Sequence, residues 1–258
     1  MMPIRIVFFD IDGTLVDPAT GKISPKTVEA LQLLEEKGIR RVIVTGRPPA
    51  SLPDFGPLRF DAMATFNGCL CYTENEIIYD APIGPGEVRQ VLQNATALGR
   101  PISLAVKDRL VANGVEQDLA DYYRLAGLEL TQSPDFDQAL EENVYQIMLS
   151  YRPGDEEKIL HNTKNLKIAL SWERAADVIP AVGGKGAAIG QILRYFGLDA
   201  GQAMAFGDNH NDLEMISAVG CGVAMGNATQ ALKDIAADVC KPVSEDGIYH
   251  YCRARGLI

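Results

Sequence analysis

Along the first eighty positions, apolar residues come in short unbroken runs, each closed by polar ones. Ile6 to Phe9 leads into Asp10 and Asp12, IRRVIV into Thr45-Gly46-Arg47, and DAMATF into Asn67-Gly68. Such runs, too short for helices and lacking alternation, predict strands covered on both faces, as in a parallel sheet. Between the first two, Ser24-Pro25 followed by TVEALQLLEEKG supplies a cap, a first-turn proline and a closing Gly38, which predicts an amphipathic helix. CLCYTENEIIYD predicts a hairpin turning near Asn75. Strand, helix and strand with polar residues delivered at each strand end is the pattern of a doubly wound parallel sheet.

The pattern changes at about position 82. Helical stretches, PGEVRQVLQNATALG and VEQDLADYYRLAG, now alternate with ISLAVKDRLVANG, NVYQIMLSYRP and LKIALSW, in which apolar and polar residues alternate. Alternation predicts one wet face, hence an open antiparallel sheet with helices on one side. After Gly183 the first pattern returns: GKGAAIGQILRYFG reads as a helix, AMAFGD as a buried strand, NDLEMISAVG and NATQALKDIAA as helices. The prediction is an α/β fold, a doubly wound, parallel-sheet, Rossmann-like core of residues 1–81 and 179–258 with an α+β cap domain, residues 82–178, inserted into it.

Composition narrows the partners. With 258 residues, 47% hydrophobic and 22% charged, the chain can bury a full core. A net charge of −10 speaks against a nucleic-acid partner, whose backbone is held by clustered Lys and Arg. No apolar run approaches the roughly 18 residues needed to span a bilayer, and the N-terminus enters its first strand without a signal-peptide pattern. Five cysteines, without zinc-ribbon spacing, suit a reducing compartment. The expectation is a cytoplasmic protein, a monomer or weak homo-oligomer, that handles a small molecule. Cys69 and Cys71 are expected to share one strand face.

Two carboxylates as close as Asp10 and Asp12 repel unless a cation sits between them or one stays protonated. At the carboxyl end of a strand, where open α/β sheets place their chemistry, the pair points to a metal or phosphate site. Alone it also reads as a solvated acidic turn. Thr45 alone reads as a strand-end hydroxyl, Lys185 as a solvated lysine, and GDNHND (207–212) as a helix cap. Asp208 and Asp212 share one side of a helix, which favours a metal.

Taken in this order, DIDGT, Thr45, Lys185 and GDNHND resemble the four motifs of the haloacid dehalogenase (HAD) superfamily of phosphotransferases. FNG (66–68), GVAMGNA (222–228) and EDGI (245–248) are similar to stretches of its Cof-like phosphatases, which carry a class IIB cap between the second and third motifs. The resemblance implies a Mg²⁺-dependent phosphatase acting on small phosphate monoesters, sugar phosphates or phosphorylated cofactors, through an aspartyl phosphate. In it Asp10 is the nucleophile and a metal ligand. Asp12 is the general acid and base and offers its carbonyl to the metal. Asp208 and Asn209 are further ligands, and Asp212 a more distant metal partner. Ile11, Thr45, Gly46 and Asn211 hold phosphoryl oxygens, and Lys185 neutralises phosphoryl group and nucleophile alike. A phosphomutase, or a phosphoryl-accepting regulatory module, would use the same residues and stays open. Arg47 reads equally as an anion guide or a surface partner, His210 as a solvated filler, and Trp172 as packing within the cap.

Overall fold

The run Ile6–Phe9 forms strand β1, whose four side chains are all buried, and burial of each phenylalanine is worth about 1.5–3 kcal/mol. The computed structural model describes residues 2–258. The first segment continues with β2 (Val16–Asp17), β3 (Lys22–Ile23), α1 (Pro25–Glu36), β4 (Arg40–Val44), β5 (Ala62–Thr65), β6 (Leu70–Tyr72) and β7 (Ile77–Asp80). The middle segment holds α2 (Pro85–Ala97), β8 (Ile102–Val106), β9 (Leu110–Ala112), α3 (Gln117–Leu125), α4 (Phe136–Ala139), β10 (Val144–Ser150), α5 (Glu156–Ile159), β11 (Leu166–Trp172) and β12 (Ala175–Pro180). The last contributes α6 (Lys185–Phe196), β13 (Ala203–Gly207), α7 (Leu213–Ser217), β14 (Cys221–Ala224), α8 (Gln230–Ile235), β15 (Asp238–Val239) and α9 (Gly247–Ala254).

One eight-stranded sheet runs in the order β15-β14-β13-β1-β4-β5-β6-β7. It is parallel from β15 to β5, and the β6–β7 hairpin adds an antiparallel edge. This is the expected doubly wound α/β core. The order puts β1 beside β13, so that the two acidic strand ends, 198 positions apart in sequence, share one edge. Helix α1 begins as the sequence predicts: the Ser24 hydroxyl accepts from the Thr27 N–H, Pro25 opens the first turn, and Gly38 follows with φ +70°.

A second sheet, β11-β12-β10-β8-β9, is antiparallel throughout. ISLAVKDRLVANG does not run on as one strand: it folds back at Lys107–Arg109, where Val106 N–H donates to the Arg109 carbonyl. The wet face expected of this sheet is also corrected, because β8, β10 and β12 are buried along their whole length. One face, with Leu104, Ile147 and Val178, packs on Val88 and Val91 of α2 and Ile159 of α5. The other, with Ala105, Met148 and Ile179, packs on Leu119 and Tyr123 of α3 and on Phe66 and Leu70 of the first segment. The polar alternate positions face α3 and the first sheet, not bulk water.

Cys69 and Cys71 do not share a face. Cys69 packs toward the second sheet and Cys71 into the core of the first. Cys69 belongs to the turn before β6, so the two-residue strand period does not apply to it. Burial pushes both thiols up to about 12.

Candidate active site

β1 ends at Phe9, and the chain then closes a tight turn in which the Ile11 carbonyl accepts from the N–H groups of Thr14, Leu15 and Val16. Gly13 sits there with φ +82°, and a Cβ on it would lie 2.2 Å from Asp208 Oδ2. Both facts demand glycine. The turn delivers Asp10, 6% exposed, to the edge of the sheet beside the end of β13.

From β13, Gly207 leads into Asp208 and then into a helical turn, His210–Asp212, capped by Asn209. Asp208 precedes that turn, so the two acids do not share one side of a helix as the spacing predicts; they meet because Asp212 turns back to accept from the Asp208 N–H. Asp212 is fully buried; its Oδ2 accepts from the N–H groups of Asp208 at 2.9 Å and Asn209 at 3.0 Å. Lys185 opens α6 and is 1% exposed; its Nζ donates to Asp10 Oδ1 and to Asp212 Oδ1, both at 2.6 Å. The Thr14 hydroxyl donates to Asp208 Oδ1 at 3.2 Å. Carboxylate oxygens of Asp10, Asp208 and Asp212 all lie within 4.8 Å of one another.

Two buried carboxylates, Asp10 and Asp212, and the half-buried Asp208 thus face one ammonium. Burial raises the pKa of Asp10; Lys185 works against that shift, and Asp212 and Asp12 add to it. Asp208 is raised by burial and then by Asp10 and Asp212. On Lys185, burial disfavours the charge, but Asp10 and Asp212 outweigh it and hold the pKa above its ordinary value. Uncompensated negative charge among hard oxygen donors fits a small divalent cation, which reverses these shifts. Both Asp212 oxygens are held at 2.6–3.0 Å by Lys185 and backbone N–H groups. Among the described residues, Asp10 meets Lys185 through Oδ1 alone and Asp208 has only the longer contacts from Thr14 at 3.2 Å and Asn227 at 3.5 Å, so Asp10 and Asp208 are the better placed to ligate.

The remaining expected residues fall into two groups. Thr45, Gly46 and Asn211 line a cavity of about 260 Å³ together with Asp10, Asp12, Asp208 and Asn209. Ile11 is wholly buried behind it. The side chain of Asn209 is turned away from the three acids: its Nδ2 donates to the Ser171 carbonyl of β11 at 2.8 Å and its Oδ1 accepts from the His210 N–H. His210 is exposed. Trp172 stacks on Tyr122 with rings 6.2 Å apart, within the second sheet and its helix.

Arg47 grips Asp12 with both arms, Nε to Oδ2 at 2.8 Å and Nη2 to Oδ1 at 2.7 Å. Its Nη1 reaches the carbonyls of Ser51 at 2.8 Å and Ala126 at 3.4 Å, so it also touches the loop after α3. Of the two readings of Arg47 the partner one is met, with Asp12 as the partner and at the cavity rather than on the outer surface.

A second network lies outside what sequence reasoning found. Asn67 Nδ2 donates to Gln146 Oε1 at 3.1 Å and Asp177 Oδ2 at 3.0 Å, while its Oδ1 accepts from Asn211 at 3.0 Å. The Tyr122 hydroxyl donates to both Asp177 oxygens at 3.1 Å. Phe66 and Asn67 adopt φ of +52° and +53°, a region costing on the order of 1–3 kcal/mol for a non-glycine residue. The turn is held by Phe66 N–H on the Arg47 carbonyl, Asn67 N–H on the Thr45 carbonyl, and a Phe66–Tyr145 stack. Asn67-Gly68 at a strand end was the one available signal, and it reads as an ordinary turn.

Comparison with known proteins agrees with this geometry. The family model for haloacid dehalogenase-like hydrolases matches residues 7–252. The protein YkrA of Bacillus subtilis (strain 168) is 32% identical over 100% of both chains. Pyridoxal phosphate phosphatase YbhA of Escherichia coli (strain K12) is 27% identical, covering 90% of this chain and 91% of its own. The solved structure of the HAD subclass IIB sugar phosphatase BT4131 superposes with a TM-score of 0.90 at 30% identity, over 98% of this chain and 100% of that one. Among the described residues no helix is long and apolar enough to cross a membrane. With the core sheet, the acidic cluster and its lysine in place, the chain belongs to the haloacid dehalogenase-like hydrolases, as a phosphatase of their Cof-like branch.

Proposed function

We propose that this phosphatase is Mg²⁺-dependent and hydrolyses small phosphate monoesters, sugar phosphates or phosphorylated cofactors, through a phosphoryl group carried on Asp10. The observation that carries this reading is the cluster of Asp10, Asp208 and Asp212 around the buried Lys185, open to a cavity that the second sheet covers. Asp10 and Asp208, with the Asp12 carbonyl, would hold the ion, whose part when bound is to offset the repulsion between anionic nucleophile and anionic phosphate.

An oxygen of Asp10 attacks phosphorus as the ester P–O bond breaks, and Asp12 gives its proton to the departing alkoxide. Water then attacks the same phosphorus, Asp12 takes the water's proton, and the phosphate leaves with Asp10 restored. Lys185 fixes Asp10 and offsets the charge that builds on the phosphoryl oxygens. Thr45, the Gly46 N–H, the Ile11 N–H and Asn211 hold those oxygens. Arg47 sets the orientation of Asp12. Residues 1–81 and 179–258 form the catalytic core and 82–178 the cap, which encloses the site and turns away macromolecular phosphoesters.

Phosphate release from a panel of small monoesters tests the reading. Release should need Mg²⁺ and stop on chelation, Ca²⁺ should inhibit because its larger coordination shell lets Asp10 bind with both oxygens, and trapped phosphoenzyme should carry phosphate on Asp10. Full activity after exhaustive chelation, or phosphate on another residue, would refute it.

A further inference from the structure

The wall that the second sheet and α3 give to the cavity differs from the floor. Its lining side chains include Leu110, Tyr122, Leu125, Leu128, Gln146 and Met148, and none of its members is charged. Its polar groups are already committed. The Tyr122 hydroxyl donates to Asp177, Gln146 accepts from Asn67 and also bonds Asp177, and the Tyr123 hydroxyl is paired with Ser103. The Ser171 carbonyl is taken by Asn209. Tyr122 is held as a fixed plate by its stack on Trp172, the rings lying within 6° of parallel.

A ligand hydroxyl turned to this wall would give up water and gain no partner, which costs binding. A second anionic group fares worse. Among the described residues Arg47 is the one cation lining the cavity, and Asp12, Ser51 and Ala126 occupy it, while Asp12 and Asp208 add repulsion. A flat apolar ring instead gains from burial against leucine, methionine and tyrosine.

We propose that the cavity selects phosphate monoesters whose alcohol part is an uncharged aromatic ring bearing the esterified carbon, over polyhydroxylated sugar phosphates and over molecules with a second anionic group. This rests on the phosphatase reading above and names the substrate class of the same site. The phosphate sits on the acidic floor and the ring on the wall; the floor does the chemistry and the wall does the choosing.

The test compares benzyl phosphate, glucose 6-phosphate and a hexose bisphosphate as substrates of the full chain with Mg²⁺. Benzyl and hexose monoesters are both esters of primary alcohols, so their intrinsic reactivities are similar and kcat/KM reports the wall. Benzyl phosphate should lead glucose 6-phosphate by about 30-fold, the scale of one well-filled apolar contact region, and the bisphosphate should be slowest. Leu128→Gln, at a half-buried position, should shrink the lead to roughly fivefold or less by supplying a polar partner. Equal or faster turnover of glucose 6-phosphate overturns this proposal and leaves the phosphatase reading standing. A lead that Leu128→Gln does not change overturns the assignment to this wall. Hydrolysis of none of the three overturns the phosphatase reading, and this proposal with it.

Discussion

The floor and the wall of the cavity are built on opposite principles. On the floor, from the ends of β1 and β13 and the start of α6, three carboxylates, two of them buried and Asp208 half-buried, meet one buried ammonium, and the charges are left out of balance. On the wall, from β10, β11 and α3, every side chain is neutral and each polar atom is met by a neighbour. Imbalance on the floor creates affinity for a cation and a phosphoryl group, which only a reacting ligand satisfies. Balance on the wall leaves shape and apolar contact as its means of discrimination. Asp177 belongs to the wall's network; burial raises its pKa to about 7, against the opposing hydrogen bonds from Asn67, Tyr122 and Gln146.

The largest effect should come from the floor. Asp10→Asn keeps the volume and removes the nucleophile, so turnover should fall by about 10⁴-fold or more with the circular dichroism spectrum unchanged. Retention of a tenth of wild-type phosphate release would break the contrast outright. Lys185→Met should be next. It leaves Asp10 and Asp212 buried without their counter-charge, and in chelator the protein should lose about 3–5 kcal/mol of stability by urea unfolding. Saturating Mg²⁺ should return part of that loss, since a cation then shares the field; no return would argue against a metal on this floor.

The wall should respond through pH. Asp177 keeps its proton up to about 7 in the folded chain, against an ordinary value of 3.8, so between those values the folded state binds more protons than the unfolded one. Its contribution is therefore full below about pH 4, declines as pH rises to about 7, and is level above that. Urea titrations of wild type and Asp177→Asn at pH 4.5 and 8 isolate it from the acids of the floor. The wild type should lose about 3 kcal/mol more than the variant between the two pH values, and parallel losses would mean Asp177 is ionised throughout.

Arg47 joins the two regions and should give the smallest effect. Arg47→Lys keeps the charge but cannot hold both Asp12 oxygens and the Ala126 carbonyl at once, so kcat should drop by about tenfold to a hundredfold with stability little changed. An unchanged kcat would detach Asp12 from the clamp and sharpen the division between floor and wall.

How much of this was legible depended on how local the signal was. Asp10, Asp12, Thr45, Lys185 and Asp208 each stand where an apolar run or a glycine-rich turn ends, so neighbouring residues mark them. Asn67, Gln146 and Asp177 have no such mark. Their bonds join positions 79 and 110 apart, and an alternating strand looks the same whether its polar face meets water or a buried amide. Arg47 was visible as a residue but not as a clamp, since its partner is 35 positions away across the sheet edge.

By itself the sequence determined the α/β class, which strand ends carry the acids, and the break in texture where the second sheet begins, because these follow from hydrophobic periodicity and strand-end chemistry within a dozen residues. Only the tertiary structure decided which face of that second sheet turns to the acids, which polar groups cancel one another there, and how one buried lysine comes to lie between Asp10 and Asp212. Those are outcomes of long-range packing, in which the burial of a polar atom and the partner that compensates it are settled together when the two sheets close on each other.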